Sequence, residues 1–141
     1  MLDHDFDVGS KNRLTPRDLD RFAADTVFDK VARAVCRAEV LPRKELYESW
    51  EVARRLHRRL RRRRRRRVVD LCCGHGLLGA LLLILDSELD SGQGSDRAPP
   101  PSSSSLLQEL HRDFSFSYDV VAGDIDDVVV SREDVVVSAH A

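Results

Sequence analysis

The stretch from Val68 to Leu85 constrains this chain more than any other. Val68-Val69-Asp70-Leu71-Cys72 is a short apolar run of the kind that fills a buried parallel strand. Cys73-Gly74-His75-Gly76 breaks it, and Leu77 to Leu85 follows, interrupted only by Gly79 and Ala80. A membrane span needs about 20 apolar residues, so a run this short reads as a buried helix. Strand, glycine turn and helix in that order open a βαβ unit, and such a unit builds a parallel sheet.

The flanking segments read as helices before this unit and mixed elements after it. Residues 1–14 are polar and are expected to be loose. Thr15-Pro16-Arg17-Asp18 is a helix start, with a Thr cap, a Pro in the first turn and an acid behind it. Leu19, Phe22, Ala23, Val27, Val31, Ala34, Val35 and Ala38 continue it as one apolar stripe until Leu41-Pro42. A second helix is predicted from Arg43, with Leu46, Trp50, Ala53, Leu56 and Leu60 on one face and Trp50 as a core anchor. Residues 87–105 carry loop chemistry, Ser91-Gly92-Gln93-Gly94-Ser95 and then Ala98-Pro99-Pro100-Pro101 and four serines. Leu106, Leu107 and Leu110 mark a short helix capped by one of those serines, and Tyr118–Ala122 and Asp134–Ser138 are strand-like. The organisation expected is a flexible 1–14, a helical extension over 15–60, an arginine-rich linker at 61–67 and an α/β unit over 68–141.

Composition matters chiefly for how charge is distributed. The 141 residues suffice for one domain, and 42% hydrophobic residues suffice for a core. The net charge of −1 is an average over unequal parts. Residues 43–67 hold 13 basic and 3 acidic side chains, and residues 68–141 hold 3 basic and 13 acidic. This excludes a uniformly basic nucleic-acid binder and leaves a local band, Arg54 to Arg67, to explain. That band reads either as a site for RNA or DNA phosphates or as a solvated helix end and loop. No aromatic residue interleaves it, so stacking on single-stranded bases is not supported. Three cysteines, two of them adjacent, make no disulfide framework and suit a reducing, cytoplasmic setting. The acidic N-terminus lacks an apolar segment of the secretory kind.

Gly74-His75-Gly76-Leu77-Leu78-Gly79 is a literal G-x-G-x-x-G at the strand–helix turn. Alone it fits dinucleotides, other nucleosides or a purely structural turn. Asp70, four residues before the first glycine, adds information. At 4 Å a carboxylate repels a pyrophosphate charge by roughly 1 kcal/mol in water and about 4 kcal/mol at an effective dielectric of 20. A ligand with a cationic end is favoured instead, which places S-adenosylmethionine ahead of NAD. Cys72, Cys73 and His75 do not make a metal site, because a closed zinc site needs four ligands and adjacent strand residues face opposite ways.

Val68-Val69-Asp70-Leu71-Cys72-Cys73-Gly74-His75-Gly76 resembles the first motif of class I S-adenosylmethionine-dependent methyltransferases. Asp96, Gly123-Asp124-Ile125 and Asp134-Val135-Val136-Val137-Ser138-Ala139-His140-Ala141 resemble later motifs of the same family, the last in a subfamily with a His-Ala-Cys-Gly fourth strand. Lys44 to Ala53 resembles the helix before the first strand there, so the likeness spans roughly residues 42–141. The resemblance implies a Rossmann-like α/β fold with parallel strands ordered 3-2-1-4, S-adenosylmethionine as cofactor and methyl transfer to an unidentified acceptor. It implies cofactor contacts from Asp70, Cys72, Gly74, His75, Gly76, Asp96, Asp124 and Ile125. Among these, Asp70 faces the ammonium group, Gly74 and Gly76 shape the methionine end, Asp96 holds the ribose and Asp124 the adenine. His140 is implied near the transferred methyl.

Ser91 to Ser95 is a poor match to the apolar second strand, so Asp86 and Asp90 stand as alternatives to Asp96. The family's motifs continue past the point matched by Ala141. The expectation is therefore an N-terminal half of the domain, with its fourth strand as an apolar edge able to pair with a second copy. A nucleic-acid-binding module acting through Arg54 to Arg67 is the alternative function.

Overall fold

The computed structural model describes residues 6–60, 67–71, 75–89, 105–114, 116, 126, 128–130, 132 and 134–137. Its order is a 3₁₀ helix (Pro16–Phe22), α1 (Val27–Ala38), α2 (Arg43–Leu60), β1 (Arg67–Asp70), α3 (Leu77–Leu89), α4 (Ser105–Asp113) and β2 (Asp134–Val137). The architecture is mixed α/β, mostly helical, with a small parallel sheet of β1 and β2. The register sets Val68 beside Val135 and Asp70 beside Val137. The Leu71 N–H donates to the Val137 carbonyl at 2.9 Å, extending the ladder past the end of β1. Parallel neighbours require a crossover, and the chain spends α3 and α4 on it. The strand expected at 118–122, and the loop before Asp96, lie outside the described residues.

The N-terminal half differs from the expected single helix. The stripe from Leu19 to Ala38 is split at Ala23–Thr26, because two local signals start a new helix there. The Thr26 hydroxyl accepts the Asp29 N–H at 3.1 Å, and the Asp29 carboxylate accepts the Ala24 N–H at 2.8 Å. Arg33 then donates to the carbonyls of Phe22 and Ala24 and fixes the corner. The end of α1 is set by Glu39 in the left-handed region at φ 56°, its N–H donating to the Val35 carbonyl at 3.1 Å.

Residues 6–14 also differ from the loose tail expected of a polar sequence. Leu14 is fully buried, and its N–H donates to the Leu41 carbonyl at 3.0 Å. Phe6 sits edge-on to Phe22 and Tyr47, with the guanidinium carbons of Arg21 and Arg43 at 4.5 Å and 4.4 Å from its ring centre. Phe28 joins Tyr47 and Trp50 at centroid distances of 5.4 Å and 5.2 Å. Trp50 is thus a packing residue, as expected. Polar composition concealed this, because two side chains of the segment, Phe6 and Leu14, do the docking while Val8 stays exposed.

The second helix runs over Arg43–Leu60 and buries Leu46 and Ala53, as its spacing predicts. It also buries His57, which the apolar pattern did not reveal. His57 Nε2 lies 3.3 Å from Asp86 Oδ1 and joins α2 to α3. Arg37 joins α1 to α4, with Nε 2.8 Å from Glu109 and a terminal nitrogen 3.4 Å from Asp113. Helix α3 buries Leu77, Leu78, Ala80, Leu81, Leu82, Ile84 and Leu85, because it packs against α2, β1 and α4. Cys36 is fully buried in the core, and burial together with the Asp18 charge pushes its thiol up to about 11. Among the described residues no helix is long and apolar enough to cross a membrane.

Candidate functional site

The glycine turn and the elements beside it form the candidate site. Gly76 is buried and holds φ 81°, a conformation that costs an L side chain roughly 1–2 kcal/mol. Its carbonyl accepts the Ala80 N–H at 3.1 Å, which makes Gly76 the N-cap of α3. A glycine cap has no side chain with which to satisfy the free N–H groups of the first turn. Asp70 does this from the end of β1: its Oδ2 accepts the Gly79 N–H at 3.1 Å. The carboxylate therefore ties the strand end to the third residue of the helix, the position a capping side chain would reach. Gly76→Ala is expected to lower stability by about 1–2 kcal/mol in urea denaturation, the cost of a left-handed alanine.

The electrostatics at Asp70 are unusual for a residue that ends a strand. Burial raises its pKa above the ordinary 3.8, and the Gly79 N–H offsets part of that rise. Gly79 is its partner among the described residues, and no cationic side chain there compensates the charge. Among the described residues the site thus holds a half-buried carboxylate that the Gly79 hydrogen bond stabilises incompletely. A cation arriving in front of it would interact with a carboxylate that burial has partly desolvated.

Of the residues singled out from the sequence, Asp70, His75 and Gly76 lie within the described residues. Asp70 accepts from Gly79 in the first turn of α3, the helix that Gly76 starts, while His75 is exposed on the turn. Cys72, Gly74, Asp96, Asp124, Ile125 and His140 lie outside the described residues. Asp86, considered as a substitute for Asp96, is instead engaged with buried His57. Asp126 is exposed. Gly79 is the participant that sequence reasoning passed over. It completes the G-x-G-x-x-G pattern, but its N–H rather than its lack of a side chain is what the site uses.

No protein-family model matches this sequence, and no curated protein or solved structure matches the chain.

Proposed function

We propose that this chain is the S-adenosylmethionine-binding portion of a class I methyltransferase-like domain, with Asp70 as the anchor for the cofactor's ammonium group. The observation that carries the reading is the half-buried Asp70 carboxylate, without a cationic partner among the described residues, at the carboxyl end of a parallel strand and bonded to the first turn of a glycine-started helix. Ligands of open α/β folds bind at that end of the sheet. The pairing of β1 with β2 across a helical crossover agrees with the 1–4 neighbours of a 3-2-1-4 sheet.

The donor set fits an amino-acid end. Asp70 would take the ammonium, and Gly76, at φ 81°, shapes the turn that leads into α3. When bound, the cofactor supplies an electrophilic sulfonium methyl. The residues of this chain contribute by position: they hold the charged end and fix the direction of approach, and such placement supplies much of the rate in a displacement of this kind. On the resemblance, Gly74 and Cys72 complete the turn, Asp96 takes the ribose, Asp124 and Ile125 take the adenine, and His140 lies toward the acceptor.

Isothermal titration of the full chain with S-adenosylmethionine and, separately, NAD tests the reading. Saturable heat with S-adenosylmethionine and none with NAD is expected. No heat at millimolar S-adenosylmethionine in a folded sample, or heat with NAD alone, would overturn it.

A further inference from the structure

The second half of α2 carries a charge pattern that the glycine-turn site does not use. Arg54, Arg55, Arg58 and Arg59 are all exposed. At about 100° per residue they share an arc of roughly 140°. Leu46, Ala53 and His57 lie on the other side of the helix and are buried, with α2 packed against α3. Arg55 has Glu51 at 3.1 Å, and Arg54, Arg58 and Arg59 have no acidic partner among the described residues. Arginines at a helix C-terminus suit its dipole, but that effect fades beyond the last turn. It accounts for Arg58 and Arg59, and Arg54 and Arg55 stand a turn earlier. Like charges four residues apart also disfavour a helix, so the pairs 54/58 and 55/59 oppose folding unless something neutralises them.

We propose that this face of α2 binds the phosphate backbone of a nucleic acid. All four residues are arginine, whose planar fork matches phosphate oxygens in a way that lysine does not. The exposed positions from 51 to 59 hold no aromatic residue, so the face grips backbone rather than stacked bases. An anionic membrane fits less well. A membrane-surface helix must offer an apolar side, and that side of α2 is occupied by α3.

The packing also fixes where the bound strand lies. Helix α3 starts beside Asp70 and runs away from it, and His57 meets α3 at Asp86. Nine residues separate Leu77 from Asp86, which is about 14 Å along the helix axis. Arg58 and Arg59 follow His57, so the arginine end of α2 lies at the far end of α3 from the glycine turn. Nucleic acid and cofactor therefore occupy separate places, and each binds without displacing the other. This proposal does not depend on the cofactor reading.

The test is fluorescence anisotropy of the full chain with 20-base-pair duplex RNA, duplex DNA and single-stranded oligouridine over a salt series. The chain in which Arg54, Arg55, Arg58 and Arg59 are all replaced by Gln is measured alongside, as is the variant with Lys at all four. Circular dichroism establishes that each is folded. Binding by the wild type should weaken linearly in log–log salt plots, and the Gln variant should lower the slope by about 3 to 4. The Lys variant should keep most of the slope, and 1 mM S-adenosylmethionine should leave the affinity unchanged. The three probes show whether RNA or DNA is the better source of phosphates. An unchanged slope in a folded Gln variant would overturn the proposal. So would binding to phosphatidylserine vesicles with none to nucleic acid, or salt-sensitive self-association in its place.

Discussion

Asp70→Asn is expected to leave the chain folded, to raise its stability at neutral pH, and to remove cofactor binding. Asn retains a side-chain oxygen for the Gly79 N–H, so the link between β1 and α3 survives. What it removes is the buried charge. Burial raises the Asp70 pKa in the folded state, so the folded chain holds that proton more tightly than the unfolded chain does. The contribution of Asp70 to stability is then greatest below the unfolded value and declines as pH rises through the folded value. The advantage of the Asn variant over wild type should accordingly be absent below about pH 4 and should grow above it, read from urea midpoints across pH. Asp70→Ala lacks the acceptor as well and should fall below Asp70→Asn by about 0.5–2 kcal/mol, the usual cost of a lost cap. Binding moves in the opposite direction. Loss of a close charge partner is worth about 2–4 kcal/mol, so S-adenosylmethionine should bind roughly 30- to 1000-fold more weakly to Asp70→Asn. A residue kept at a cost to stability and needed for a ligand is the combination expected of a binding site. If the Asn variant binds as tightly as wild type, the carboxylate is a cap and nothing more.

The second large effect falls on α3. Over Leu77–Leu85 this helix is apolar on all sides, and the fold accommodates it by placing α2, β1 and α4 around it. Leu82 is fully exposed to its neighbours and not at all to solvent, at 0% accessibility. Leu82→Ala should cost about 2–5 kcal/mol, the spread reflecting how far the surrounding side chains collapse into the space. Arg59→Ala, on the exposed side of α2, should change stability by less than about 0.5 kcal/mol. Urea midpoints for the two variants check the contrast. Near-equal losses would mean that the interior is not organised around α3. Because α3 also carries Gly79, loosening it should disturb Asp70 as well, and the Leu82 variant should weaken ligand binding along with stability.

What was legible in the sequence follows the range of the interactions involved. Helix α2 was legible because Leu41-Pro42 marks its start and its apolar spacing is regular. The strand and the helix that follow from Val68 onward were legible for the same kind of reason, with strong local punctuation around apolar runs. The split at Ala23–Thr26 was less so, since Leu19 to Ala38 keeps helical spacing across it. A Thr cap and one arginine outweigh that periodicity. His57 was hidden because a histidine among arginines gives no sign of burial, and its partner Asp86 is on another helix. Within the site, the glycines and Asp70 were apparent from spacing. The bond from Gly79 to Asp70 was not, because a side chain reaching nine residues along the chain depends on how strand and helix fold back together.

The claim that the β1–turn–α3 unit receives the ligand is tested most directly by amide NMR during titration of the full chain with S-adenosylmethionine. Shifts should concentrate at Asp70, Leu71 and His75 to Gly79, with the Gly79 amide among the largest, while Arg58 and Arg59 stay in place. Shifts centred on another part of the chain, or none at a saturating concentration, would contradict it.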